Sequence, residues 1–295
     1  MWGCEFLLRM QMQDGSIPHE VEKVEQTDGI IGTSDDRKIL DWMPTYNGLL
    51  AVAGLAGTSA LIADRDPQSA ARYLDGALLS LRFYGSELAG GLGSSLNGAA
   101  MVLACAQLYR ATSNSTYLEL AEKYCSETLV LPFSEYYGPF VPCALGYYLE
   151  INPSSVWRQS IMDYIAGIAD SRMAEDRGGS NPYLPFEIPT WRLYVLDPWA
   201  ATALFAYRLT GNRTYLDYGI ALVDCHLGVN PYGICMLEGA GTVDPPGYGS
   251  SFRTPSNPRG VVPGSIPQGI RTVKDRPYYD ISIGPAGESA ETWLI

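Results

Sequence analysis

The ten residues Tyr109-Arg110-Ala111-Thr112-Ser113-Asn114-Ser115-Thr116-Tyr117-Leu118 return as Tyr207-Arg208-Leu209-Thr210-Gly211-Asn212-Arg213-Thr214-Tyr215-Leu216, at an offset of about twice 49 residues. A weaker copy runs from Leu61 to Leu74, roughly one period before the first. A turn repeated at that spacing constrains the fold more than any other feature, because each repeat is one supersecondary unit that buries its apolar face only against its neighbours. Ser, Gly or Arg ends one helix, and Asn114, Asn212 or Asp66 follows to accept the free N–H groups of the next, with Pro67 tolerated at a first helical position.

The helix entering each turn is small and apolar nearly all round: Leu49 to Ala63, Leu96 to Leu108 and Trp199 to Leu209. The helix leaving it is amphipathic, as in Ala70, Tyr73, Leu74, Ala77, Leu78 and Leu81, or Tyr117, Leu118, Leu120, Ala121 and Tyr124. Buried helices alternating with half-exposed ones predict an all-α fold in two concentric layers, an α/α toroid, with a long irregular region from His226 to Ile295. Leu49 to Ala63 approaches transmembrane composition but is short and rich in Gly, Ala, Ser and Thr, and reads as a helix buried in protein.

A formal charge of −12 over 295 residues argues against nucleic acid or an anionic membrane as partner, since both reward basic patches. The six cysteines are scattered singly and only His19 and His226 stand beside them, so neither a metal site nor a cofactor is expected. Buried inert thiols are the commoner reading of such cysteines, and the even count leaves disulfides open. Trp2 to Met12 is a mixed amphipathic run and not a signal peptide. His226 reads as a packed helix-end histidine rather than an acid–base group. Both Asn114-Ser115-Thr116 and Asn212-Arg213-Thr214 fit the N-glycosylation pattern, and helix capping accounts for them without sugar attachment.

Loops held by rigid elements carry function, and here the segments before the buried helices bear Asp35, Asp36, Trp42, Tyr46, Tyr136, Tyr137, Tyr183, Trp191 and Tyr194. The C-terminal stretch adds Tyr248, Tyr279 and Trp293 beside Arg253, Asp280, Glu288 and Glu291. Aromatic faces mixed with charged forks suit a polyhydroxylated ligand, so an oligo- or polysaccharide is the expected partner; oligomeric state is left open. Breaking a glycosidic bond takes a protonated carboxyl at the leaving oxygen and an ionised one across the sugar. Glu291 is the choice for the acid, because an apolar neighbour such as Trp293 raises a carboxyl pKa towards neutrality.

Several motifs then occur in order: Trp2-Gly3-Cys4-Glu5-Phe6-Leu7-Leu8-Arg9-Met10-Gln11 with Asp14-Gly15, Leu227-Gly228-Val229-Asn230-Pro231-Tyr232-Gly233, Asn257-Pro258-Arg259-Gly260, Asp275-Arg276-Pro277-Tyr278 and Glu291-Thr292-Trp293. Together they resemble glycoside hydrolase family 9, the cellulase-like six-hairpin toroids, across the whole chain. The resemblance implies an inverting hydrolase of β-linked glucose or glucosamine polymers and oligomers, secreted or periplasmic in the full-length protein. It places Glu291 as general acid, Arg253 as a holder of sugar hydroxyls and Asp280, in Tyr278-x-Asp280, as an orienting carboxylate. Tyr248, Tyr279, Trp293, Trp42, Tyr183 and Trp191 complete the expected substrate-binding set.

The sequence also departs from the family. No Asp-Ala-Gly-Asp, the family's water-activating motif, occurs in residues 1–295; Ser251 stands where the family has histidine, and Ala290 where it usually has asparagine. The expectation is a single catalytic-type domain over 1–295, truncated at both ends, lacking the first helices and the general base, with impaired turnover. Asp35 and Asp36 are internal alternatives for the base, though capping or pairing with Arg37 and Lys38 suits adjacent loop acids better. Glu288 is the alternative acid. The rival readings are a carbohydrate-binding toroid without turnover and another α/α-toroid enzyme, such as an unsaturated-uronide hydrolase or sugar epimerase.

Overall fold

A computed structural model describes residues 2–18, 20–22, 37–39, 45–133, 140–177, 196–230, 233–243, 255–256, 263–266 and 293–294. Packing divides the chain into two compact units, residues 1–161 and 162–295. The first holds α1 (Trp2–Met10), β1 (Glu20–Glu22), β2 (Arg37–Ile39), α2 (Thr45–Ile62), α3 (Pro67–Glu87), a single 3-10 turn (Leu88–Gly90), α4 (Ser95–Thr112), α5 (Thr116–Leu129) and α6 (Phe140–Ile151). The boundary falls in α7 (Arg158–Arg177). The second unit continues with α8 (Leu196–Thr210), α9 (Arg213–His226), β3 (Ser265–Ile266) and β4 (Trp293–Leu294).

In the first unit α2 packs against α3 and α4, and α4 against α5 and α6. The two apolar helices are therefore the inner ones: Leu49, Val52, Leu55, Ala99, Val102, Cys105 and Leu108 expose nothing. By length and composition α2 alone among the described residues is apolar enough to cross a membrane. Its neighbours α3 and α4 take up that apolar surface, which is the burial its composition predicts. The amphipathic α3 and α5 each bury one stripe, through Ala70, Tyr73, Ala77 and Tyr84 in α3 and Ala121, Tyr124 and Cys125 in α5.

The helices approach closely where a Cβ is missing. One added to Gly48 of α2 would lie inside the ring of Tyr84 from α3, and one added to Gly98 of α4 would meet Thr128 Oγ1 of α5. Tyr84 in turn reaches the segment after α1: its hydroxyl accepts from Ile17 N at 2.8 Å and donates to Ile17 O at 3.2 Å. Beside it Gln11 Nε2 donates to Gly76 O and Ser80 Oγ, both at 2.7 Å, and Ser80 Oγ donates to Gly15 O at 2.6 Å. Gly15 sits at φ +96 with Leu79 O where a side chain would start. Glu5 accepts from Tyr73 Oη at 2.9 Å and Arg72 Nη2 at 3.0 Å, and these bonds hold its carboxyl below the usual carboxylate range. The N-terminal motif residues Glu5, Gln11 and Gly15 thus fasten α1 and the turn after it onto α3.

The repeated turn is the same structure twice. Thr112 Oγ1 donates to Leu108 O at 2.7 Å and accepts from Asn114 N at 3.2 Å; Thr210 Oγ1 does so with Ala206 O and Asn212 N at the same two distances. Asn114 Oδ1 accepts from Thr116 N, and Asn212 Oδ1 from Thr214 N, each at 3.1 Å. Asp66 caps α3 through Ser69 N at 3.1 Å with Pro67 behind it. Between Thr and Asn the backbone turns left-handed, at φ 74 in Gly211 but φ 56 in Ser113. A non-glycine residue there is strained, so Ser113→Gly is expected to stabilise the chain by about 1 kcal/mol, read as a rise in melting temperature. A fall would show that Ser113 makes a compensating contact.

Inside the second unit α8 and α9 form the hairpin that this turn joins, with Gly219 of α9 against Leu204 and the Ala200 carbonyl of α8. Arg172 of α7 lies 5.4 Å over the ring of Trp199, and Tyr215 Oη donates to Asp170 Oδ1 at 3.0 Å.

Two features add detail to the sequence reading. The stretches expected as loops contain short antiparallel ladders, Glu20–Glu22 on Arg37–Ile39 and Ser265–Ile266 on Trp293–Leu294. Ladders of two or three residues are set by distant pairing partners and leave no periodicity to read. The open disulfide alternative is resolved as six free thiols. Burial pushes Cys105 and Cys225 up to about 12, which keeps them as inert thiols. Native alkylation at neutral pH is expected at the half-buried Cys143 alone, read by mass spectrometry; modification of all six without denaturant would contradict this packing.

Candidate functional site

The last helix hands over to a loop fixed by backbone and amide hydrogen bonds. Gly228 turns at φ +117, letting Val229 N reach Asp224 O at 2.9 Å. Asn230, 6% exposed, donates from Nδ2 to Cys225 O and Ile234 O, both at 2.8 Å, and so braces the two sides of the loop. Met236 N donates to His226 O at 2.6 Å, and Gly233 N to Asn230 O at 3.0 Å. The Leu227-Gly228-Val229-Asn230 motif is therefore loop architecture, with Asn230 as its brace.

Two further links run on from this loop to the β3–β4 ladder. Gly264 N donates to Glu238 O at 2.9 Å. The next residues, Ser265 and Ile266, pair with Leu294 and Trp293. Ile266 of the ladder and Met236 of the loop are both buried, at 2% and 0% exposed. The backbone of Trp293, two residues beyond Glu291, is thus tied through β3 and the 233–240 loop to the C-terminal end of α9.

Glu291, Arg253, Asp280, Tyr248, Tyr279, Trp42, Tyr183 and Trp191 lie outside the described residues, as do Asp35, Asp36, Glu288, Tyr136, Tyr137 and Tyr194. For Trp293 the backbone alone is described. What the structure brings together is a frame made of the α9 terminus, its braced loop and the β3–β4 ladder. Among the described residues no group of three or more His, Cys, Asp or Glu side chains is placed to hold a metal ion.

The frame contains a pair that the sequence did not signal. His226, 5% exposed, places Nε2 at 3.2 Å from Asp197 Oδ1 in the first turn of α8. That is ion-pair distance, although neither ring nitrogen meets the geometry of a hydrogen bond. His226 is the packed helix-end histidine its position suggests, but it faces a carboxylate. The two are far apart in sequence, and only the antiparallel α8–α9 hairpin brings them together.

No protein-family model matches the chain, and no curated protein matches it. Solved structures do. A metagenome-derived glycoside hydrolase family 9 endoglucanase is 21% identical, superposes on 93% of this chain and 53% of its own length, and gives a TM-score of 0.69. AaCel9A in complex with cellobiose-like isofagomine gives 0.72 at 18% identity, over 97% of this chain and 60% of that one. An endoglucanase from the termite Nasutitermes takasagoensis gives 0.60 at 20% identity, over 80% and 61%. The chain has the fold of glycoside hydrolase family 9. In fold class it is all-α, an incomplete α/α toroid, with the small ladders as additions. Family 9 neighbours are longer, and the chain spans 53% to 61% of their lengths in these three superpositions.

Proposed function

We propose that residues 1–295 form a single catalytic-type domain of a glycoside hydrolase, acting on β-linked glucan or glucosamine-containing oligo- and polysaccharides by an inverting acid–base mechanism. The observation that carries this reading is the family 9 fold over nearly the whole chain, at 93% coverage by an endoglucanase structure. It is supported by the tethered β3–β4 ladder beside which Glu291 enters the sequence. Glu291 donates a proton to the leaving glycosidic oxygen. Arg253 holds sugar hydroxyls, Asp280 orients, and Tyr248, Tyr279, Trp293, Trp42, Tyr183 and Trp191 present aromatic faces to the rings. The full-length protein is secreted or periplasmic in this reading, where such polymers occur.

A base must activate water on the opposite face, about 6.5–9.5 Å from the acid. Asp-Ala-Gly-Asp does not occur in residues 1–295, so turnover by this chain alone is expected to be impaired. The same observation favours the second reading, a toroid that binds oligosaccharide without cleaving it. Cello- and chitosan oligomers separate the two when binding is followed by calorimetry and products by NMR. Binding with slow cleavage and inverted anomeric configuration is the expected result. Binding with no cleavage selects the second reading, and no binding of any oligomer removes both.

A further inference from the structure

We propose that Asp197 and His226 form a positioning pair that sets the loop leading to the acid, an assignment that rests on the reading of Glu291 above. His226 is a node with two separate attachments. Its ring faces Asp197 in the first turn of α8, 3.2 Å from Nε2 to Oδ1, while its carbonyl accepts the Met236 N–H at 2.6 Å. The ring therefore fixes the last residue of α9 against α8, and the carbonyl passes that position to the 233–240 loop. From there Glu238 O holds Gly264, and β3 holds Trp293. Every link lies within the second unit.

Burial makes the pair consequential. Fixing an imidazole at 5% exposure with neither nitrogen in a well-aligned hydrogen bond costs desolvation that an apolar side chain in the same place would avoid. A packing role alone is met by leucine or phenylalanine, whereas facing a carboxylate requires a nitrogen. Asp197 is only partly buried, with its side chain 37% exposed, so it keeps its hydration while presenting one oxygen to the ring. Small displacements of the α9 terminus would turn that contact into a charge-assisted hydrogen bond or break it, and the loop beyond would follow.

The test uses the whole chain with His226→Phe, His226→Gln and Asp197→Asn, read by amide hydrogen exchange and by kinetics on β-linked oligosaccharides. In His226→Phe the Met236 and Gly264 amides are expected to exchange about tenfold faster, with α4 and α5 amides unchanged. Turnover is expected to fall about tenfold with KM within about twofold, because the loop moves the acid rather than the substrate. His226→Gln, which restores a donor toward Asp197, is expected to recover most of both losses, and Asp197→Asn combined with His226→Phe to be no worse than His226→Phe alone. Unchanged exchange at Met236 and Gly264, or no rescue by Gln, overturns the assignment. If the parent chain cleaves nothing, the functional reading has failed separately, and exchange and rescue of exchange decide whether the pair holds the loop.

Discussion

Glu291→Gln is expected to lower cleavage of β-linked oligosaccharides about a thousandfold while leaving their binding within about twofold. Glutamine keeps the size and hydrogen-bonding reach of the side chain but has no proton to give to a departing glycosidic oxygen. General acid catalysis contributes on the order of a hundred- to ten-thousandfold, so a loss in that range identifies the acid, whereas a few-fold loss would transfer the role to Glu288. The pH profile gives a second check. An acid must be protonated to act, so activity should fall as pH rises through its pKa, and that limb should vanish in the variant. Substrates with an activated leaving group that needs no proton should recover most of the rate.

Gly48→Ala carries the largest expected effect on stability. The new methyl would enter the ring of Tyr84, a side chain 1% exposed whose hydroxyl is committed to both the N–H and the carbonyl of Ile17. The ring has no open space to move into, and shifting it breaks the hold on the segment after α1. Overpacking of a well-filled core costs about 1–3 kcal/mol and more where the neighbour is pinned, so a loss of about 3 kcal/mol or more is expected despite the gain of up to about 1 kcal/mol from alanine in a helix. Denaturant unfolding measures it. Tyr84→Ala destabilises on its own by opening a cavity, but in the double variant the clash disappears, and its loss should be smaller than the sum of the two single losses. Strict additivity would mean that Gly48 and Tyr84 do not meet.

The helical hairpins were legible because their information is local. A Thr that bonds back to its own helix, a left-handed residue and an Asn that accepts the next N–H all lie within five positions, and the same residues recur at Thr112 to Thr116 and Thr210 to Thr214. The apolar character of α2 and α4 reports their burial directly, since an inner helix has no wet side to mark. Other features depend on partners distant in sequence. Ile266 meets Trp293, and Asp197 meets His226, only after the chain has folded, and neither pairing leaves a pattern in its own segment. The N-terminal motif illustrates a further limit: Glu5 and Gln11 stand out in the sequence only as part of a motif shared with a family, and it is their partners Tyr73, Gly76 and Ser80 that give them a fastening role. The expected sugar-binding residues, Glu291 and Arg253 among them, lie outside the described residues and rest on the resemblance and the proposal.

A crystal structure of this chain with a bound cello- or glucosamine oligomer tests the account most directly. The account predicts a sugar chain against Trp293 and the other aromatic residues of the set, with a Glu291 oxygen about 3 Å from a glycosidic oxygen. An oligomer bound elsewhere, or Glu291 turned away from it, would contradict the proposal that this fold carries a glycosidase site.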